Sequence, residues 1–155
     1  MSAKKLTQGD QVPHFELRDQ DNKLFKISEH IGKYPLVIYF YPKDDTPGCT
    51  AEACSFRDQY QDFTDHKAKV IGISSDSVQS HKDFAEKYRL PFTLLSDPDE
   101  QVRQKFGVPG SFLGLFPGRV SYVVDEEGII QSIYNSQSKA TQHVEEAISQ
   151  LKSMY

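Results

Sequence analysis

The stretch Pro35-Leu36-Val37-Ile38-Tyr39-Phe40-Tyr41 decides the fold. It is a continuous apolar, β-rich run, the pattern of a strand buried on both faces. Val70-Ile71-Gly72-Ile73 reads as a second such strand and Phe92-Thr93-Leu94-Leu95 as a third, shorter one. Helical patterns separate them, from about Pro47 to Phe63, from Ser77 to Tyr88 and over Glu100 to Phe106. Downstream, Val120 to Val124 and Ile129 to Ile133 flank Asp125-Glu126-Glu127-Gly128, a hairpin signal. The segment from about Thr141 to Leu151 then places Val144, Ala147, Ile148 and Leu151 at helical spacing. Upstream, Phe15-Glu16-Leu17 and Leu24-Phe25-Lys26 around Asp19-Gln20-Asp21-Asn22 predict a small N-terminal β-hairpin. Strands alternating with helices, then a hairpin and a closing helix, imply an α/β fold with a central mixed sheet flanked by helices.

The 155 residues suit a single domain spanning the whole chain, with no Gly/Ser-rich linker and no repeat. Hydrophobic residues at 37% and charged residues at 26% place the chain among ordinary globular proteins. Leu36 to Tyr41 is far too short to cross a bilayer, so no membrane partner is expected. The net charge is -4 and the basic residues are scattered among acids, which argues against nucleic acid. Met1-Ser2-Ala3-Lys4-Lys5 has no apolar run behind it and does not read as a secretory signal. A cytoplasmic location is expected, or a plastid one if a transit peptide has been removed. Two cysteines are fewer than a secreted disulfide scaffold of this length uses. Cys49 and Cys54 are therefore incidental, metal-binding or reactive.

Parallel strands place functional loops at their C-terminal ends, and the unusual chemistry follows Tyr41 directly. Thr46-Pro47 reads as a helix N-cap with proline at the first helical position, which puts Cys49 in the first turn. Free backbone N–H groups and the helix dipole there favour an anion, so a thiol in that place should ionise more readily and act as a nucleophile. Cys49, Ala53, Phe56, Tyr60 and Phe63 fall on one helical stripe, which faces the core. Cys54 lies five residues on, about 140° around the helix. A zinc site is not favoured, because there is no Cys-x-x-Cys and His14, His30, His66, His81 and His143 are dispersed. GxxxxGK[ST], GxGxxG and HExxH are also absent, so no metal, haem or flavin cofactor is expected.

Pro42-x-x-x-Thr46-x-x-Cys49 resembles the active-site motif of the peroxiredoxins at every defined position. The similarity is greatest to the bacterioferritin comigratory protein / peroxiredoxin Q branch, of the plant and cyanobacterial type. It extends through Val70-Ile71-Gly72-Ile73-Ser74, Leu90-Pro91-Phe92 to Asp97, Phe106-Gly107-Val108 and Gly118-Arg119-Val120-Ser121-Tyr122-Val123-Val124-Asp125, and covers about Gly9 to Leu151. It implies a thioredoxin-like fold and a thiol peroxidase. Cys49 would be the peroxidatic nucleophile, Thr46 would orient the peroxide, Pro42 would shield the site from water, and Arg119 would stabilise the thiolate and the leaving oxygen. Cys54 stands where the branch has its resolving cysteine, so the resemblance implies a Cys49–Cys54 disulfide, recycled by thioredoxin or a similar dithiol protein. Residues five apart in an intact helix have Cα atoms roughly 8–9 Å apart, whereas a disulfide needs about 4.4–6.8 Å. Such a bond would require local unwinding. A resolving cysteine in the same chain also implies a monomer. The competing readings are a dithiol oxidoreductase, a redox sensor or chaperone-like protein, and a purely structural domain. Ser121-Tyr122 departs from the Thr-Phe frequent in relatives, a change expected to alter packing more than chemistry. The apolar loop Pro109 to Gly118 either packs on the core or, through Phe112 and Phe116, lines the site.

Overall fold

The computed structural model describes residues 5–108 and 118–154. The N-terminal hairpin forms from β1 (Glu16–Asp19) and β2 (Leu24–Lys26), and a short 3-10 helix covers Ile27–Glu29. The central strand β3 spans Leu36–Phe40 and leads into α1 (Pro47–Asp58) and α2 (Tyr60–Asp65). Then follow β4 (Lys69–Ser74), α3 (Val78–Tyr88), β5 (Thr93–Ser96) and α4 (Gln101–Phe106). The described chain closes with β6 (Val120–Val124), β7 (Ile130–Asn135) and α5 (Gln142–Met154). These strands make one seven-stranded sheet in the order β2-β1-β5-β4-β3-β6-β7. β3 pairs in parallel with β4 and antiparallel with β6, and β4 pairs in parallel with β5. The β3-helix-β4 unit joined to the β6-β7 hairpin and α5 is the thioredoxin-like arrangement.

Every residue of β3 is buried, because helices or loops cover both faces of the sheet. Val37, Tyr39 and Tyr41 point towards a core with α1, α2, α3 and α5. Leu36, Ile38 and Phe40 point the other way, towards Phe15, Val102 and Phe106. The alternation of side chains along a strand thus turns one apolar run into the boundary of two cores.

The helix expected from Pro47 to Phe63 is interrupted. Gln59 leaves helical geometry at φ −106°, ψ 19°, and α2 restarts at Tyr60. A stripe spaced 4, 3, 4, 3 advances by 3.5 residues per turn and drifts off the face of a straight 3.6-residue helix. With the break, Phe63 remains buried against Phe56, ring centroids 5.5 Å apart. The expectations for Phe112 and Phe116 lie outside the described residues.

Candidate active site

The C-terminal end of β3 carries Tyr41, whose N–H continues the ladder to the Ile73 carbonyl at 3.1 Å. Half-buried Pro42 follows. The loop then turns at Asp45, which has a left-handed φ of 59° that aspartate tolerates better than most residues. Thr46 is extended (φ −93°, ψ 157°) and occupies the N-cap position, with Pro47 opening α1. Its side chain does not cap the helix. Its hydroxyl instead donates to the Lys43 carbonyl at 2.9 Å, which leaves the Oγ1 lone pairs as acceptors.

Cys49 stands in the first turn of α1 and is 1% exposed. Beneath it lie Ala53, Phe56 and Phe63, the expected apolar stripe, with Tyr60 packed at its edge. Tyr39 stacks on Phe56 at 4.6 Å, and its buried hydroxyl has no hydrogen-bond partner among the described residues.

Arg119 arrives from the start of β6. The β3–β6 register pairs Val120 with Phe40, which brings Arg119 to the sheet end where α1 begins. Its Nη2 donates to Cys49 Sγ at 3.5 Å, its Nη1 to Glu52 Oε1 at 2.6 Å and its Nε to the Gln137 carbonyl at 3.2 Å. A side chain at Gly48 would place its Cβ 3.0 Å from Nη2, so the missing side chain makes room for the guanidinium. Burial works against the charge of Arg119, but Glu52 and Cys49 outweigh it and hold its pKa above the ordinary value.

Glu52 was not singled out in the sequence. It sits one turn after Cys49 on the same side of α1 and is fully buried. Burial pushes its pKa up to about 8, with Arg119 opposing only in part. Its second oxygen, Oε2, has no hydrogen-bond partner among the described residues and lies 3.8 Å from His143 Nδ1. Burial lowers His143 to about 4, so the ring is neutral near pH 7. Its Nε2 faces the Ser136 carbonyl at 2.7 Å and must carry the proton. Its Nδ1 therefore accepts from the Ser121 hydroxyl at 2.7 Å. Of the two unusual residues after Arg119, Ser121 thus joins this network. Tyr122 packs on the opposite face, 5.1 Å from Phe106.

A second arginine also went unread. Arg103, 7% exposed, donates to the Tyr41 carbonyl at 3.1 Å and to the Gly118 carbonyl at 2.9 Å. It ties the residue before Pro42 to the residue before Arg119, so α4 fixes both halves of the site.

Cys54 is half-buried on another face of α1, and both cysteines are free. The helix between them is continuous. Pro42, Thr46, Cys49 and Arg119 thus gather at one end of the sheet, where Arg119 hydrogen-bonds Cys49. Among the described residues, one group of potential metal ligands converges: Asp44, Asp76 and His81, with ligand atoms within 4.8 Å of one another. Its converging atoms already hold hydrogen bonds with one another or with Tyr41, Ser74 and Ser80. No helix among the described residues is long and apolar enough to cross a membrane.

A family model described as AhpC/TSA matches residues 8–133. Peroxiredoxin Q, chloroplastic, from Populus jackii is 49% identical over 150 residues, covering 97% of this chain and 70% of that protein. The Arabidopsis thaliana protein of the same name is 49% identical over 148 residues, 96% of this chain and 68% of its own length. Among solved structures, peroxidoxin BcpB from Mycobacterium tuberculosis superposes with a TM-score of 0.89 at 35% identity, covering 97% of this chain and 99% of the other. A cysteine variant of Xanthomonas campestris peroxiredoxin Q gives 0.83 at 33% identity, over 91% and 92% of the two chains. These likenesses agree with the thioredoxin-like fold and assign a thiol-dependent peroxidase activity. The chain belongs to the AhpC/TSA family and is similar to its peroxiredoxin Q members over nearly its whole length.

Proposed function

We propose that the chain, acting as a single-domain monomer, reduces hydrogen peroxide and organic hydroperoxides through Cys49, resolves the product through Cys54, and is recycled by thioredoxin or a similar dithiol protein. The observation that carries this reading is the hydrogen bond from Arg119 to Cys49 Sγ at the start of α1. A fixed cation and first-turn N–H groups favour negative charge on the sulfur and on the oxygen that leaves it. Support for organic hydroperoxides comes from the Xanthomonas campestris bacterioferritin comigratory protein, whose structures were studied for alkyl peroxide reduction activity.

The Cys49 thiolate attacks one peroxide oxygen. A sulfur–oxygen bond forms, the oxygen–oxygen bond breaks, and the departing oxygen takes a proton to leave as water or alcohol. Thr46, its own proton engaged by Lys43, accepts a hydrogen bond from the peroxide and orients it. Pro42 limits access of water. The Cys54 thiolate then attacks the sulfenic sulfur, a sulfur–sulfur bond forms as the sulfur–oxygen bond breaks, and the departing hydroxide takes a proton to leave as water. That step requires α1 to open, because both cysteines lie within one continuous helix. A dithiol protein returns two electrons by thiol–disulfide exchange. With nucleophile and resolving thiol in one chain, no second copy is needed. The plant relatives are chloroplastic by name, which favours the plastid as the compartment.

A peroxidase assay coupled to a thioredoxin system tests this reading on wild type, Cys49→Ser and Cys54→Ser. Cys49→Ser should lose all turnover, and Cys54→Ser should react once with peroxide but fail to turn over with thioredoxin. Unchanged turnover in Cys49→Ser would end the proposal.

A further inference from the structure

We infer that Asp76 is a positioning residue for peroxide reduction, holding the Thr46 hydroxyl in place through the planar peptide that joins Lys43 to Asp44. This rests on the reading that Thr46 orients the peroxide. Two hydrogen bonds carry the inference. Thr46 Oγ1 donates to the Lys43 carbonyl at 2.9 Å, and the Asp44 N–H donates to Asp76 Oδ2 at 2.8 Å. That carbonyl and that N–H belong to the same peptide unit, which is rigid and directs them to opposite sides. Fixing the N–H therefore fixes the direction of the carbonyl, and so the direction in which the Thr46 hydroxyl spends its proton.

Asp76 is itself tied to the sheet. Its Oδ2 accepts from Ser74 Oγ at 2.6 Å at the end of β4, and its carbonyl accepts from Ser96 Oγ of β5 at 2.6 Å. The side chain of Asp44 is pinned in parallel. It accepts from the Tyr41 hydroxyl at 2.6 Å and Ser80 Oγ at 2.8 Å, and His81 Nδ1 lies 2.7 Å away. His81 is fully buried, with Nε2 2.9 Å from the Leu95 carbonyl. The loop needs such anchoring, because Lys43 and Asp45 on either side of Asp44 are exposed. Three elements outside the loop that carries Thr46, β4, α3 and β5, thus hold one carbonyl. The consequence lies in which role the threonine presents. A Thr46 hydroxyl donating to Lys43 offers only lone pairs to a peroxide O–H. One released from Lys43 rotates and offers its proton as readily, so the peroxide loses its single preferred pose.

A double-mutant cycle separates positioning from general stability. The rate constant for oxidation of reduced protein by hydrogen peroxide is measured for Thr46→Val, Asp76→Ala and the double variant. Thr46→Val should slow oxidation by about 100-fold, and Asp76→Ala by about tenfold, the scale of one misplaced hydrogen bond. In the Thr46→Val background, Asp76→Ala should cost less than about twofold, since the group it positions is gone. Asp76→Asn keeps an oxygen acceptor and should recover most of the loss. Alkylation of Cys49 by iodoacetamide needs no peroxide pose and should stay unchanged in Asp76→Ala. Asp76→Ser, too short to reach the Asp44 N–H, runs through the same cycle, so that the result does not hang on the folding of one variant. Equal losses in both backgrounds, or an Asp76→Ala rate equal to wild type beside a slowed Thr46→Val, would overturn the role of Asp76. A Thr46→Val rate equal to wild type would instead overturn the reading of Thr46 and the inference with it.

Discussion

Glu52 accepts a 2.6 Å hydrogen bond from Arg119 while neither side chain is more than 4% exposed. The same guanidinium reaches Cys49, so two groups that can each become anions share one cation. Burial pushes the Glu52 pKa up to about 8, so Glu52 competes less strongly with the sulfur for the charge of Arg119 than an ordinary carboxylate would.

This arrangement sets a pH dependence of stability. Glu52 is raised from 4.5 to about 8, so it keeps a proton in the folded state that the unfolded chain releases above pH 4.5. His143 is lowered from 6.5 to about 4, so the unfolded chain holds a proton there that the folded state lacks. Between about pH 4.5 and 6.5 the two proton differences cancel. Between 6.5 and 8 only that of Glu52 remains, and stability falls by roughly 2 kcal/mol. Denaturant unfolding across this range should record the decline, and Glu52→Gln should abolish it. A decline of equal size in Glu52→Gln would assign it to other groups.

Replacing Arg119 by methionine removes the hydrogen bond to Cys49 and leaves Glu52 without its donor. Oxidation of Cys49 by peroxide should slow by about 100-fold or more. Arg119→Lys keeps the charge but lacks the fork that spans Glu52 and Cys49, and should recover little of the rate. Stopped-flow oxidation of the reduced proteins measures both.

Gly48→Ala separates stability from activity. Alanine is the better helix former by about 1 kcal/mol, and Gly48 lies within α1. Its Cβ would press on Arg119 Nη2 at 3.0 Å and displace it from Cys49. The variant should melt no lower than wild type yet react with peroxide at least about fivefold more slowly, a loss of about 1 kcal/mol in the transition state.

Opening of α1 should limit disulfide formation. Ala51 is exposed on α1 between the two cysteines, and Ala51→Gly weakens the helix by about 1 kcal/mol. Closure of the disulfide after a single peroxide pulse should then be up to about fivefold faster, with the first oxidation step unchanged. A closure rate insensitive to this change would place the slow step elsewhere.

The sheet was readable because its central strands are buried on both faces, so Leu36 to Phe40 and Val70 to Ile73 appear as plain apolar runs. The start of α1 was readable from Thr46-Pro47, and the stripe from Cys49 to Phe63 from its spacing. The break at Gln59 was not, since no glycine or proline marks it. Glu52 carries no local signal, because the arginine that pairs with it in the interior lies 67 residues away. His81 and His143 looked dispersed for the same reason. Each is buried with one ring nitrogen against a carbonyl of a neighbouring strand or loop and the other against a side chain, Asp44 for His81 and Ser121 for His143. Arg103 has no local signal at all, since its partners are backbone carbonyls of distant residues.

The most direct test of the central claim is intact-protein mass spectrometry after one equivalent of hydrogen peroxide. Wild type should lose two hydrogens as Cys49 and Cys54 join within one chain. Cys54→Ser should gain one oxygen on Cys49, and Cys49→Ser should remain unchanged on the same timescale. Oxidation of Cys49→Ser at the wild-type rate would contradict the account.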